Sequence, residues 1–243
     1  MRTTRVFVDM PLKAGAIISL PDDAAAHLVR VLRLQEGDAC VLFNGDGGDY
    51  AASLLVANKR SVEVQVGARR EVDNESPLRI ALVQGIARGE KMDWILQKAT
   101  ELGVASVLPV QSDRSEVKLD GERATKRLAH WRSVVVSACE QSGRARVPPV
   151  AAPAPLAQAV AALSTPARFL LDPLAAQAVT AAAVPAGECV LAVGPEGGWS
   201  PRDRQALQAA GFEGLRLGPR VLRTETAGIA AIAALQARFG DLA

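Results

Sequence analysis

The 243-residue chain lacks several things, and each absence removes a class of function. Its three cysteines, Cys40, Cys139 and Cys189, lie far apart and form no C-x-x-C pair. Neither a zinc site nor a dithiol redox motif is supported, so no metal centre is expected. An odd, sparse cysteine count suits a reducing compartment. No apolar run approaches the ~18 residues of a membrane-spanning helix. The first residues, MRTTRVFVDM, contain no apolar core of signal-peptide length. A cytoplasmic protein without a membrane partner is therefore expected. No G-x-G-x-x-G is present, so no motif points to a dinucleotide site or a Rossmann-type methyltransferase. There is no internal repeat and no low-complexity tail.

What is there is an ordinary globular composition, 49% hydrophobic and 22% charged. Many of the apolar residues are alanine, so helices should pack closely. The length allows one large domain or two unequal ones. Net charge is only +2, but its distribution is uneven. Residues 1–72 balance nine Lys/Arg against nine Asp/Glu. Residues 114–146 carry Arg114, Lys118, Arg123, Lys126, Arg127, Arg132, Arg144 and Arg146 against Glu116, Asp120, Glu122 and Glu140. A local basic face of this kind can meet phosphates even when the whole chain is near neutral. The plainer reading is a solvated helix face.

Residues 4–72 read as β-rich. Strand candidates are Arg5–Val8, Ala16–Ile18, Ala39–Phe43, Tyr50–Val56 and Val62–Val66. Asn44-Gly45-Asp46-Gly47-Gly48 is a hairpin signal. Asp22 or Asp23 is expected to cap a short helix carrying Leu28, Val31 and Leu32. Short strands, turns and one helix suggest a small barrel. The lone His27 of that helix suits packing or surface better than ligation. Asp73-Asn74-Glu75-Ser76-Pro77 breaks structure, and the domain boundary is placed there.

Beyond it the pattern alternates. Leu78–Ile86 is strand-like, Lys91–Gly103 an amphipathic helix, Val104–Val110 a strand and 122–142 a long helix. That alternation argues for an α/β fold with a parallel sheet. The proline-rich 147–155 reads as an extended connection. A short Ala-rich helix, 156–163, and a strand, Arg168–Leu171, follow. Strand candidates Val190–Val193 and Leu215–Leu217 then each run into a Gly-Pro loop, at Gly194-Pro195 and Gly218-Pro219. Ser200-Pro201-Arg202-Asp203 carries a helix-start signature. A final helix with Ile229, Ile232, Ala233 and Phe239 on one face follows Arg220–Thr226. Ligands of open α/β sheets sit outside the carboxyl ends of strands.

The wording of these loops, V-G-P-E-G-G-W-S and then L-G-P-R-V-L-R-T-E-T-A, resembles the small-subunit (16S) ribosomal RNA uridine N3-methyltransferase family of the SPOUT superfamily. Q-K-A-T-E-L-G (Gln97–Gly103) and E-Q-S-G-R (Glu140–Arg144) extend the resemblance upstream, and it reaches weakly into the first seventy residues. It implies a SPOUT-type parallel sheet with a C-terminal trefoil knot at 73–243, and a PUA-like RNA-binding β-barrel at 1–72. It implies S-adenosylmethionine (SAM) as cofactor, 16S ribosomal RNA in the small subunit as partner, and a homodimer. The small residues Ala227, Gly228, Ala230, Ala231 and Ala234 of the last helix would allow close approach between copies.

Carried onto this chain, the cofactor residues are Leu171, Val193, Gly194, Pro195, Glu196, Gly197, Gly198, Leu217, Gly218, Leu222, Thr224 and Thr226. Neutral uracil N3 bears a proton and is a poor nucleophile, so its removal needs a base and its anion needs donors. Arg220 and Arg223 are placed as those donors, with Glu140 and Arg144 on the substrate side. Ion pairs with Glu196 or Glu225 are the structural alternative for the two arginines, and a helix cap is the alternative for Thr224. The base stays open among Glu196, Glu140 and water. Competing readings are a SPOUT enzyme acting on another RNA position and a non-catalytic RNA-binding assembly protein.

Overall fold

The computed structural model describes residues 4–58, 61–117 and 120–242. The chain divides into two units, Met1–Glu75 with Cys139–Val147, and Ser76–Ala138 with Pro148–Ala243. In the first, β1 (Arg5–Phe7), β2 (Ile17–Ser19), α1 (Asp22–Ala26), β3 (Ala39–Phe43), β4 (Gly48–Ala57) and β5 (Val62–Glu71) follow in order. The five strands form one sheet ordered β1-β3-β4-β5-β2, parallel only between β1 and β3. Leu28, Leu42, Leu54, Val62, Val64 and Val66 fill its core. In the β3–β4 turn, Gly45 and Gly47 both take φ of +91°, a region that favours glycine. Asp46 Oδ1 accepts the Gly48 N–H at 2.8 Å and pins the turn.

Two expectations for this unit need correction. Pro21, not an aspartate, occupies the N-cap of α1; Asp23 Oδ1 accepts the N–H of Ala24 within the first turn. Beyond α1 the chain widens into a π-helical turn, His27–Val31, closed by the Leu32 N–H on the His27 carbonyl. The wider turn rotates Val31 and Leu32 off the face that buries Leu28, leaving them 66% and 36% exposed. The E-Q-S-G-R segment belongs to this unit, where Arg5 donates to the Cys139 carbonyl at 2.8 Å and to Asp49 at 2.6 Å.

The second unit contains β6 (Arg79–Gly85), α2 (Glu90–Glu101), β7 (Ser106–Gln111), α3 (Gly121–Ser142, whose end from Cys139 falls in the first unit), β8 (Ala154–Pro155), α4 (Leu156–Ala161), β9 (Ala167–Leu171), β10 (Glu188–Val193), α5 (Pro201–Ala209), β11 (Glu213–Leu215) and α6 (Thr224–Phe239). All six strands are parallel, in the order β11-β9-β10-β6-β7-β8. Val83, Val190, Ala192 and Leu170 share one core with Leu156 and Val160 of α4 and Leu207 of α5. Each of these Val and Leu side chains contributes about 1.5–3 kcal/mol by leaving water. Neighbouring Gln84 points to the opposite face, as alternation along a strand requires, and meets α6 there.

Ser200 caps α5 as expected: its Oγ accepts the Asp203 N–H at 3.0 Å, and Asp203 Oδ2 accepts the Ser200 N–H at 3.0 Å. The proline-rich connection ends in β8, an edge strand, where a proline interrupts no ladder. Strand β11 lies two residues earlier than expected, because Leu215 pairs with Leu171 at the end of β9 and the Arg216 N–H turns to the Gln177 carbonyl. Helix α6 buries Gly228, Ala231, Ile232, Leu235 and Gln236, while Ile229, Ala233 and Phe239 are half-buried. Gln236 is drawn inward by partners: it donates to the Leu102 carbonyl at 3.0 Å and accepts the Ser76 hydroxyl at 2.6 Å. The three cysteines are buried, and burial pushes the Cys40 thiol up to about 11 and those of Cys139 and Cys189 to about 12. Among the described residues there is no candidate metal cluster and no helix long and apolar enough to cross a membrane.

Candidate active site

Strands β9, β10 and β11 lie side by side, and the loops leaving their carboxyl ends surround a cavity of about 560 Å³. That volume is ordinary for a small-molecule site. Of the residues assigned from sequence, Leu171, Val193 to Gly198, Leu217, Arg220, Leu222, Arg223 and Thr224 line it. Gly218, at φ +116°, and Thr226 are close in sequence but do not line it. Glu140 belongs to the other unit, where its Oε1 accepts the Phe7 N–H at 3.0 Å. Arg144 is 4% exposed and engages Glu75 with two nitrogens, at 2.5 and 3.0 Å. A guanidinium so placed cannot reach a phosphate.

The loop after β10 is held on several sides. Glu196 accepts the Arg88 N–H and the Lys91 ammonium, each at 3.1 Å. Burial draws its carboxyl upward, but these bonds and its own N–H outweigh that and hold it below the usual carboxylate range. Arg114 donates to the Gly197 carbonyl at 2.9 Å. The Gly198 N–H closes a turn on the Pro195 carbonyl at 2.8 Å. A Cβ on Gly194 would lie 3.2 Å from Gly198 Cα, and one on Gly85 only 2.5 Å from Pro195 Cδ. Bare backbone is therefore required where the end of β6 meets this loop.

Beneath the loop lies a residue that sequence reasoning missed. Gln84 is fully buried; its Nε2 donates to the Gly85 carbonyl at 2.9 Å and to Thr224 Oγ1 at 3.2 Å. Thr224 in turn donates to the Gly194 carbonyl at 2.5 Å. Thr224 is thus not the helix cap: Arg223 occupies the N-cap without a side-chain bond, and the hydroxyl ties α6 to the loop. The available signal was one amide inside the apolar run Leu78–Ile86, since a buried amide needs partners. Also unanticipated is Arg204, which ion-pairs with Asp172 on the cavity wall.

The second loop differs. Arg220, Val221 and Arg223 are exposed, and neither arginine forms an ion pair among the described residues. The alternative in which Glu196 or Glu225 neutralises them does not occur. Glu196 is taken by Lys91, and Glu225 Oε2 is shut off from solvent without a partner among the described residues. The basic segment is also divided. Arg114 and Arg132 donate to backbone carbonyls, Lys126 pairs with Glu122 at 2.6 Å, and Lys118 lies outside the described residues. Arg123, Arg127 and Arg146 remain exposed.

A cavity at the ends of parallel strands, with a bare-backbone cradle at Gly194 to Gly198, an apolar lining from Leu171, Val193, Leu217 and Leu222, and two guanidinium groups without an ion pair among the described residues, suits a nucleoside-bearing cofactor and an anionic reactant, so the residues present fit SAM. A family model described as an RNA methyltransferase domain matches residues 74–236, and one described as an RNA methyltransferase PUA domain matches 20–67. The chain belongs to this RNA methyltransferase family. It is 32% identical to the Ribosomal RNA small subunit methyltransferase E of Buchnera aphidicola, over 99% of this chain and 98% of the relative. The enzyme of the same name from Neisseria gonorrhoeae, solved bound to S-adenosyl methionine, is 40% identical with a TM-score of 0.92, both chains being covered completely. A protein of Legionella pneumophila, solved in complex with the bound cofactor SAM, is 38% identical with a TM-score of 0.96, again over 100% of both chains.

Proposed function

We propose that this protein is a SAM-dependent methyltransferase that methylates N3 of a specific uridine in the 16S RNA of the small ribosomal subunit. The observation that supports it most strongly is the joining, in one cavity, of a braced glycine-rich cradle and the unpaired Arg220 and Arg223. Bound SAM would supply an electrophilic methyl group on a sulfonium. Leu171, Val193 to Gly198, Leu217, Leu222 and Thr224 form its bed, with Gly218 shaping the loop behind it and Thr226 in the first turn of α6 beside it. Arg223, and Arg220 beside it, stabilise the negative charge that spreads over uracil O2 and O4 as N3 loses its proton. Glu196 is a poor proton acceptor, since its bonds with Lys91 and Arg88 favour the charged form.

In this reading residues 1–72 form the PUA-like RNA-binding domain, its sheet closed as a barrel, and residues 73–243 the SPOUT domain with its C-terminal knot. The protein works as a homodimer. Gly228 and Ala231 are buried within their own unit, so Ala227, Ala230 and Ala234, half-buried, are what α6 has left to offer a second copy. Sedimentation showing only monomer at micromolar concentration would remove the dimer. The activity is tested by incubating small subunits that lack the modification with radiolabelled SAM and digesting the RNA to nucleosides. Label in 3-methyluridine is expected; label in another nucleoside, or none, overturns the assignment.

A further inference from the structure

The reaction needs a proton acceptor, and three carboxylates line the cavity: Asp172, Glu196 and Glu225. Asp172 is ion-paired with Arg204. Glu196 is ion-paired with Lys91 and held in its charged form by two backbone N–H groups as well. A carboxylate so engaged must give up those bonds to take a proton. Glu140 is in the other unit, where its Oε1 accepts the Phe7 N–H, and it does not line the cavity.

Glu225 differs from all of them. It stands in the first turn of α6, two residues after Arg223, and forms no ion pair among the described residues. Its Oε2 is closed to solvent and accepts no hydrogen bond from any of the described residues. Unpartnered buried oxygens are rare in native folds, and each calls for an explanation. The neighbouring side chains do not explain this one: the Thr224 hydroxyl is spent on the Gly194 carbonyl, and Arg223 forms no ion pair with it.

We infer that Glu225 is the general base that removes the uracil N3 proton. This rests on the N3-methyltransferase reading above. The N3–H bond breaks and its proton goes to a Glu225 carboxylate oxygen. The electron pair left on N3 forms the new bond to the methyl carbon. The carbon–sulfur bond breaks with its electrons going to sulfur, which becomes a neutral thioether. Arg223 stabilises the uracil oxygens while Glu225 takes the proton, so two residues of one helix start divide the work.

The test compares wild type, Glu225→Gln and Glu225→Asp, with SAM affinity from calorimetry and single-turnover rates on unmodified small subunits from about pH 6 to 9. Wild type must first yield 3-methyluridine; if it does not, the functional reading fails and not the role of Glu225. Glu225→Gln is expected to bind SAM within about twofold of wild type and to lose about a hundred- to ten-thousandfold in rate near neutrality. The deficit should shrink as the pH rises and solvent removes the proton. Glu225→Asp, which keeps a carboxylate, should fall between the two and keep the wild-type pH profile. If Gln at 225 prevents folding, the Asp profile decides alone: an unchanged shape supports the base, and a rate that climbs with pH overturns it. Weakened SAM binding with a near-normal rate at saturation would make Glu225 a cofactor anchor instead. A deficit equal at every pH would also overturn the proposal.

Discussion

The two Gly-Pro loops of the cavity are built in opposite ways. The first, Gly194–Gly198, is braced by Lys91, the Arg88 N–H, Arg114 and Thr224. The second, Gly218–Arg223, presents Arg220, Val221 and Arg223 to solvent without an ion pair among the described residues. A braced loop suits a ligand that must be held in one pose, since preorganisation lowers the cost of binding. A loop with unpaired cations suits a reactant whose charge develops only during the reaction. The difference assigns the first loop to cofactor affinity and the exposed arginines of the second to rate, while the backbone of the second loop still borders the cofactor bed.

Between the two loops, the larger effect should come from the open one. Arg223→Ala is expected to cost on the order of a hundredfold or more in single-turnover rate, as removal of one oxyanion donor does. Arg223→Lys should recover only part, because a point charge cannot reproduce the planar fork. Raising the pH should partly rescue the Ala variant, and a deficit identical across pH would deny Arg223 any part in deprotonation. Next, Gly197→Val should weaken SAM binding about tenfold or more in calorimetry, with circular dichroism near wild type. Its Cβ alone would approach Arg114 Cβ to 3.1 Å, and valine adds two methyl groups. Gly218→Val forces a β-branched residue to φ +116° and should act in the same direction. Unchanged affinity in both would remove the cofactor assignment of these loops.

The bracing itself should depend on pH. Glu196 titrates below its ordinary value of 4.5 in the folded protein, so its contribution is present above that value and fades as the pH falls through the lower folded one. Glu196→Gln should therefore bind SAM more weakly than wild type at neutral pH, with the two converging in acid. A gap that persists below the folded value would show that the ion pair is not the brace. The smallest effect is expected from Lys126 and Arg127. Neutralising both should lessen the salt dependence of RNA binding by about one counterion for each phosphate no longer engaged, leaving SAM affinity untouched. An unaltered slope would make α3 a solvated face, as the Lys126–Glu122 pair already makes it in part.

The same contrast explains what could be read from sequence. Local chemistry was legible: Ser200-Pro201-Arg202-Asp203 forms its capping box as written, and both Gly-Pro loops fall at the cavity. The bracing was not, because its partners are distant in the chain. Gln84 reaches Thr224 across 140 residues and Lys91 reaches Glu196 across 105. The partners of Glu140 and Arg144 were hidden for a related reason: the resemblance places both on the substrate side, and only the fold shows Phe7 and Glu75, each from the first 75 residues, bonded to them. Thr224 looked like a cap because threonine before a helix usually is one, and only the fold supplies the Gly194 carbonyl it bonds instead.

The division between a loop that holds the cofactor and a loop that drives the reaction is tested most directly by calorimetric titration of SAM into Arg223→Ala. An affinity within about twofold of wild type is expected, since an exposed, unpaired side chain that acts in the transition state contributes little to ground-state binding. Loss of SAM binding in that variant would make Arg223 part of the cofactor site and contradict the division.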